Sequence, residues 1–155
     1  AGTIKRVDYS YIKAANTPSF LAYLNTNQSI SGSSNTKIQF DAEIYDSDNC
    51  YDSTTNYRFT PTEAGKYYLF FQVFFDNGQT GAEGSISIYK NGSERYFTRS
   101  TLQFGTQCMY AHTIVVANGT TDYFECYIEQ NGNYTLNEDT NQHRNRFGGF
   151  KLIGV

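Results

Sequence analysis

The chain has 155 residues and a formal net charge of −3, which suits one domain and leaves no basic excess for binding nucleic acid through bulk electrostatics. Tyr and Phe together number 26, against 15 for Leu and Ala, and Ser, Thr, Asn and Gln together number 51. Aromatic residues favour strands, so this composition predicts an all-β protein with a neutral polar surface. No run of 18 apolar residues occurs, so we predict no membrane-spanning helix.

The first 17 residues differ in character from the rest of the chain. Lys5 and Arg6 carry positive charge, Tyr9 and Tyr11 follow them, and Pro18 comes directly after the segment. We interpret residues 1–17 as an N-terminal arm that docks onto another protein, with a frayed terminus as the alternative. Residues 18–155 then form the globular domain. The start lacks the apolar stretch of a secretory signal, so we expect removal of an initiator Met, although an already removed signal remains open.

Strand-like runs alternate with turn signals along the domain. Four Asn-Gly pairs, at 77–78, 91–92, 118–119 and 131–132, predict tight turns because Asn and Gly accept the positive φ of a type I′ hairpin. Strands are predicted at 19–24, 36–40, 56–60, 66–76, 85–89, 95–102, 109–117, 122–130 and 146–153. Roughly nine strands at this spacing predict a sandwich or a jelly roll.

The predicted strand 66–76 is apolar on both faces. One face carries Tyr67, Leu69, Phe71, Val73 and Phe75, and the other carries Tyr68, Phe70, Gln72 and Phe74. In an antiparallel sandwich one face of a strand meets the core and the other meets solvent or a partner. The apolar second face therefore predicts a cover, which we expect to be another subunit. A covering loop, or a Tyr68 that simply lies on the surface, is the alternative.

Residues able to carry catalysis or hold a metal are few. His112 lies in a predicted strand and His143 in a polar loop, and no nucleophile motif accompanies them, so we predict no enzyme. Asp46 and Asp48 offer hard oxygen ligands and form a weak Ca²⁺ candidate. Their run lacks the EF-hand pattern, and a turn held by Asx hydrogen bonds is the favoured interpretation.

Two further groups of residues have ordinary structural interpretations. Cys50, Cys108 and Cys126 are odd in number and form no CxxC pair, which indicates small hydrophobic residues rather than disulfide partners. Glu125 and Glu129 alternate with apolar residues, which predicts that they mark a solvent face.

Several spacings resemble the signature of the globular C1q domain family. The matching positions are Phe40, Asp46 and Tyr51, then Phe59, Gly65, Tyr67 and Phe71. The end of the chain, Phe147-Gly148-Gly149-Phe150-Lys151-Leu152, is similar to the family's last strand, and Ile88-Tyr89-Lys90-Asn91-Gly92 is similar to its middle hairpin. The chain departs from the family pattern in one extra residue between Tyr51 and Phe59, and in Leu69 where Phe is usual.

This resemblance implies an all-β fold, a ten-stranded antiparallel jelly-roll sandwich of the C1q/tumour necrosis factor type that is homotrimeric and non-enzymatic. It also implies a trimer interface lined by aromatic residues of the 66–76 strand and of the last strand. The candidates for that interface are Tyr68, Phe70, Phe74, Phe147 and Phe150. Some members bind Ca²⁺ near the threefold axis, which is the only cofactor that the resemblance suggests.

The resemblance also leads to an expectation about the function of such a trimer. The family often carries a collagen-like Gly-X-Y stalk, and this sequence has no such repeat and two prolines. C1q-like domains also occur on tailed phages and other virions. We therefore expect a capsid decoration (cement) protein on a virion, bound to the major capsid protein or another virion protein through Lys5, Arg6, Tyr9 and Tyr11. The alternative is a recognition module, either a fibre tip or a secreted lectin-like protein, that binds a receptor or a glycan.

Overall fold

The computed structural model describes residues 16–78, 83–101, 105–138 and 143–153. Within these ranges the chain forms 13 strands and no helix, and so none long and apolar enough to cross a membrane. The strands are β1 (Ser19–Tyr23), β2 (Gln28–Ile30), β3 (Thr36–Lys37), β4 (Ala42–Asp46), β5 (Tyr51–Asp52), β6 (Arg58–Phe59), β7 (Ala64–Gly78), β8 (Glu83–Lys90), β9 (Ser93–Thr101), β10 (Gly105–Asn118), β11 (Phe124–Gln130), β12 (Tyr134–Leu136) and β13 (Arg146–Lys151).

Two antiparallel sheets form the sandwich. The first sheet has the order β10-β7-β13-β1-β4, and the second has six strands, β5-β6-β11-β8-β9 with β3 also paired to β11. Strands β2 and β12 form a separate two-stranded ribbon. The predicted all-β sandwich is confirmed. The structure has 13 strand segments where ten strands were expected, and five of them, β2, β3, β5, β6 and β12, are only two or three residues long.

Aromatic rings fill the space between the two sheets. Phe20 of β1 stacks on Phe59 with 4.4 Å between ring centroids and on Tyr51 with 5.2 Å, while Phe147 of β13 meets it edge-on at 4.9 Å. Stacked and edge-on arrangements are the geometries that the ring quadrupole favours. These contacts tie the first sheet to the second, because Phe20 and Phe147 belong to one and Phe59 and Tyr51 to the other.

The long strand β7 shows the predicted alternation. Its inward side chains, Tyr67, Leu69, Phe71, Val73 and Phe75, are fully buried in the core. Its outward side chains, Tyr68, Phe70, Gln72 and Phe74, are half-buried. The strand therefore uses one apolar face inside the protomer and leaves the other on the outside of the first sheet.

One of the predicted Asn-Gly turns has the expected geometry. Asn91 and Gly92 have φ values of 54° and 74° and join β8 to β9 through two residues, as a type I′ turn requires. Asn118 instead ends β10, and its Oδ1 accepts hydrogen bonds from the backbone N–H groups of residues 120, 121 and 122. The same dipeptide thus forms a hairpin in one place and caps a longer loop in another.

The prediction that Glu125 lies on a solvent face is wrong. The residue is 6% exposed, and its Oε1 lies 3.1 Å from Nζ of Lys37 on the neighbouring strand β3. The hydroxyl of Tyr127 donates a hydrogen bond to Oε2 over 3.4 Å. Alternation does turn Glu125 away from the core, but the flanking strand and these side chains cover it, and a buried carboxylate needs such partners.

Candidate functional site

The outside of the first sheet carries a continuous set of aromatic and aliphatic side chains, which we call the outer face. It consists of Leu21, Tyr68, Phe70, Phe74, Tyr110, Ile114, Val116 and Phe150. The strand register builds it, because Tyr68 lies opposite Ile114 on one side and opposite Phe150 on the other. Four strands thus contribute side chains to one surface.

Tyr68 is the centre of the outer face. Its ring centroid lies 5.6 Å from that of Phe150 and 6.4 Å from that of Phe70. Its hydroxyl lies 3.3 Å from the hydroxyl of Tyr110. Burial, together with this hydrogen bond, raises the pKa of Tyr110 to about 12, so the phenol stays neutral at physiological pH. The Tyr110 hydroxyl therefore adds no charge to the centre of the outer face.

Gly148 determines how closely Phe70 packs onto the sheet. A Cβ at Gly148 would lie 2.5 Å from Cζ of Phe70 and 2.9 Å from Cδ1 of Leu21. Both side chains therefore occupy the space directly above the glycine. Because Gly148 has no side chain, the Phe70 ring can pack directly against β13 and β1.

The edge strand β10 leaves apolar side chains uncovered in a single protomer. Ile114 is 56% exposed, Val116 is 62% exposed and Tyr110 is 43% exposed. Contiguous apolar surface of this kind, unlike scattered single residues, is typical of an interaction site. Sequence reasoning missed these three residues, although residues 109–117 show the same two-sided apolar alternation that singled out β7.

Four of the five predicted interface residues lie on the outer face, namely Tyr68, Phe70, Phe74 and Phe150. Phe147 does not, because its side chain is fully buried in the core. Residues three apart on a strand point to opposite faces, so Phe147 and Phe150 cannot share a surface. Phe74 lies toward one end, where the guanidinium of Arg144 sits 3.9 Å from its ring centroid.

The two histidines have different surroundings. His112 is exposed on the outside of β10, with its ring centroid 5.2 Å from Tyr110 and 6.0 Å from Tyr68. His143 is half-buried, and its ring meets that of Tyr23 at 4.1 Å. Neither arrangement resembles a nucleophile and base pair, in which the two side chains lie within hydrogen-bond reach.

The weak Ca²⁺ candidate is a hydrogen-bonded turn. One carboxylate oxygen of Asp46 accepts from the backbone N–H of Tyr51 at 2.7 Å, and the other accepts from that of Asp48 at 3.2 Å. The hydroxyl of Ser47 donates to the carboxylate of Asp48. In the part of the chain that the structure describes, no group of three or more His, Cys, Asp or Glu side chains could hold a metal ion.

The three cysteines are free thiols. Cys50 and Cys126 are buried, and burial raises the pKa of both thiols, that of Cys126 well above its ordinary value. Cys108 is exposed on the outside of β10, opposite Phe74. Cys50 and Cys126 therefore behave as the small core residues that the sequence predicted.

The predicted arm residues Lys5, Arg6, Tyr9 and Tyr11 lie outside the described residues. The described chain begins at Asn16, and Pro18 is buried immediately before β1. The backbone O of Pro18 accepts a hydrogen bond from the N–H of Lys151 at 3.1 Å. The domain's own packing thus includes Pro18.

The residues of the sequence signature form one structural unit. Phe40, Tyr51, Phe59, Tyr67 and Phe71 are all buried in the core. The hydroxyl of Tyr51 donates to the backbone O of Phe40 at 3.1 Å. This hydrogen bond between two signature residues fixes the loop that contains Phe40. These residues specify the packing of the sandwich rather than a surface that could meet a ligand.

Comparisons with known proteins agree with this architecture. The sequence model of the C1q domain matches residues 19–152. Comparison with curated proteins finds no match. Among solved structures, murine APRIL at pH 5.0 is similar with a TM-score of 0.62 and 14% identity, and at pH 8.5 with 0.56 and 17%. Each alignment covers 86% of this chain and 99% of that one. The chain belongs to the C1q domain family and has the fold that this family shares with the tumour necrosis factor superfamily.

Proposed function

We propose that the chain is a non-enzymatic homotrimeric module whose subunits meet through the outer face. The observation that carries the proposal is the continuous apolar surface centred on Tyr68, which one protomer leaves partly uncovered. Domains of the C1q and tumour necrosis factor type form homotrimers, are generally non-enzymatic and bind receptors or other ligands. A second copy is therefore the occupant that best fits this surface.

The energetic argument is one of hydrophobic burial. Each Å² of apolar surface that a mate removes from water contributes about 25 cal/mol. Ile114 and Val116 are more than half exposed, and Tyr68, Phe70 and Phe150 are half-buried, so each has area left to bury. The neutral Tyr68–Tyr110 pair adds no charge that would have to be desolvated.

Sedimentation equilibrium of the full chain tests the proposal. We expect a trimer, and we expect Tyr110→Glu to dissociate it by placing a charge in the contact. Tyr96→Glu is the matched control, because Tyr96 is 38% exposed against 43% for Tyr110 but lies on β9 of the second sheet. A monomeric wild-type chain, or equal effects of the two substitutions, contradicts the proposed interface.

For the task of the trimer, we propose decoration of a virion capsid, with residues 1–17 as the attachment arm. The support is the composition of that segment, where Lys5 and Arg6 precede Tyr9 and Tyr11, and Tyr supplies rigid contact area for protein partners. Deleting residues 1–17 should leave a folded trimer that no longer binds phage shells. Shell binding that survives the deletion would rule out the arm as the attachment segment.

A recognition module that binds a receptor or a glycan is the second candidate. It is favoured by the family, whose domains are commonly secreted or extracellular and bind receptors, and by a chain in which Ser, Thr, Asn and Gln number 51. A glycan array probed with the trimer separates the two functions. Saturable glycan binding that persists after deletion of residues 1–17 supports recognition, whereas a decoration protein should bind no glycan.

A further inference from the structure

A guanidinium with no acidic partner among the described residues lies at one end of the outside of the first sheet. Arg146 is the first residue of β13, and its Nη2 donates to Oε1 of Gln72 at 3.3 Å. Its Nε is buried and has no hydrogen-bond partner in the part of the chain that the structure describes. The Gln72 side chain is itself fixed, because its Nε2 donates to the backbone O of Arg144 at 3.0 Å. The neutral amide therefore holds the guanidinium in place without neutralising it.

The three partly buried lysines of the described residues have carboxylate partners, whereas the partly buried guanidinium groups of Arg58 and Arg144 lie over the rings of Tyr123 and Phe74. Lys37 pairs with Glu125, Lys90 with Asp122 and Lys151 with Glu63, at 3.1, 2.8 and 2.6 Å. Arg146 has no such partner in the described ranges. A buried charged group without a counter-charge is costly, so the partly buried Arg146 favours an anion that the described residues do not supply.

A second nitrogen without a partner among the described residues belongs to His143, three positions before Arg146. Nδ1 of His143 is buried without a hydrogen-bond partner, and its ring packs on that of Tyr23 at 4.1 Å. Tyr23 is the cross-strand neighbour of Arg146. His143 and Arg146 are therefore both neighbours of Tyr23, where β1 ends and β13 begins. His143 also has a φ of 49°, and a non-glycine residue in this left-handed region is a form of strain that clusters at binding sites.

We propose that Arg146 and His143 form a binding site for an oxyanion, a carboxylate or a phosphate group. The planar guanidinium presents a fork of N–H donors that matches two oxygens of such a group. The imidazole Nδ1 can carry a proton and donate to a further oxygen. Two sources fit this chemistry, a free anion and a carboxylate of a neighbouring copy, and only the second rests on the proposed trimer.

Titration of the full-length chain with inorganic phosphate at constant ionic strength tests the free anion. Calorimetry should show saturable binding, and the melting temperature should rise with phosphate concentration as binding to the folded state requires. Arg146→Gln should lower the phosphate affinity at least tenfold. Arg146→Lys keeps the positive charge but lacks the planar pair of N–H donors, so it should also lose most of the phosphate affinity. Because it is the more conservative substitution, it also shows that the lost affinity does not result from misfolding.

Arg58→Gln is the matched control, since the Arg58 guanidinium lies over the Tyr123 ring at 4.3 Å on the second sheet. It should leave phosphate binding unchanged. If phosphate does not bind but Arg146→Gln weakens trimer association at least tenfold more than Arg58→Gln, the oxyanion is a neighbour's carboxylate and the site stands. If Arg146→Gln changes neither phosphate affinity nor association, the site is refuted. A wild-type monomer that binds phosphate through Arg146 would refute the trimer and keep this site.

Discussion

Two adjacent phenylalanines of β7 provide a direct test of which face of the strand packs in the core and which face contacts another subunit. Phe71 faces inward and is fully buried, with its ring 5.9 Å from that of Phe40. Phe70 faces outward and is half-buried above Gly148. The substitutions Phe71→Ala and Phe70→Ala remove the same atoms from neighbouring positions, so any difference between them reports the face rather than the residue type.

Phe71→Ala is expected to lower the free energy of unfolding, whereas Phe70→Ala is expected to weaken the association of subunits. Phe71→Ala leaves a cavity in the core and should lower the free energy of unfolding by about 3–5 kcal/mol, or the melting temperature by roughly 6–20 °C for a chain of this size. For Phe70, a mate covers at most about a third of a side chain of about 150–250 Å², so the loss is about 1–2 kcal/mol per subunit. Three subunits lose about 3–6 kcal/mol, which raises the trimer dissociation constant by about two to four powers of ten.

Two measurements separate these outcomes. Sedimentation equilibrium gives the association constant of folded subunits, and thermal unfolding followed by circular dichroism gives stability. Phe71→Ala should remain a trimer with a lower melting temperature, and Phe70→Ala should stay folded while its trimer dissociation constant rises by about a hundredfold or more. If Phe70→Ala leaves the dissociation constant at its wild-type value, the outer face is not the subunit contact and the burial argument fails.

Three further predictions concern turns and loops. Gly119→Ala should cost about 2–5 kcal/mol, because Gly119 has a φ of 74° and a Cβ would lie 2.2 Å from the backbone N of Ala64; near-wild-type stability in urea unfolding would contradict this. Gly92→Ala has the same φ but only a hydroxyl at 3.5 Å, so it should cost only about 1–2 kcal/mol by the same measurement. Backbone N–H donors, chiefly that of Thr55, hold the pKa of Asp52 well below its usual range. This stabilisation is complete above the ordinary pKa of about 3.9 and is lost as pH falls below it. Asp52→Asn should therefore lower stability by about 1–3 kcal/mol at pH 7 and flatten the decline in melting temperature between about pH 4 and pH 2; parallel pH curves for the two proteins would refute the role of the charge.

The sandwich could be predicted from the sequence because the alternation of inward and outward side chains along β7 depends only on neighbouring residues. A side-chain period of two fixes which residues share a face, and the inward set of Tyr67 to Phe75 is buried as that period requires. Alternation does not say what lies above a face. Glu125 points away from the core as predicted, yet Lys37 covers it from a strand 88 residues away in sequence. Such cover is a tertiary property that no local pattern encodes.

The candidate site was less predictable, for a related reason. A resemblance to a family strand assigns residues to a strand but not to a face, so it groups Phe147 with Phe150 although their separation of three residues puts them on opposite sides. The sequence does not single out Arg146, because it does not show that the neighbour of Arg146 across the sheet is the neutral Gln72. Most signature residues that indicate the family, such as Phe40, Phe59 and Phe71, are core residues, and their match carries information about packing. Packing residues do not specify a partner, so the proposed contacts with partners depend on other positions, namely the outer face, Arg146 and residues 1–17.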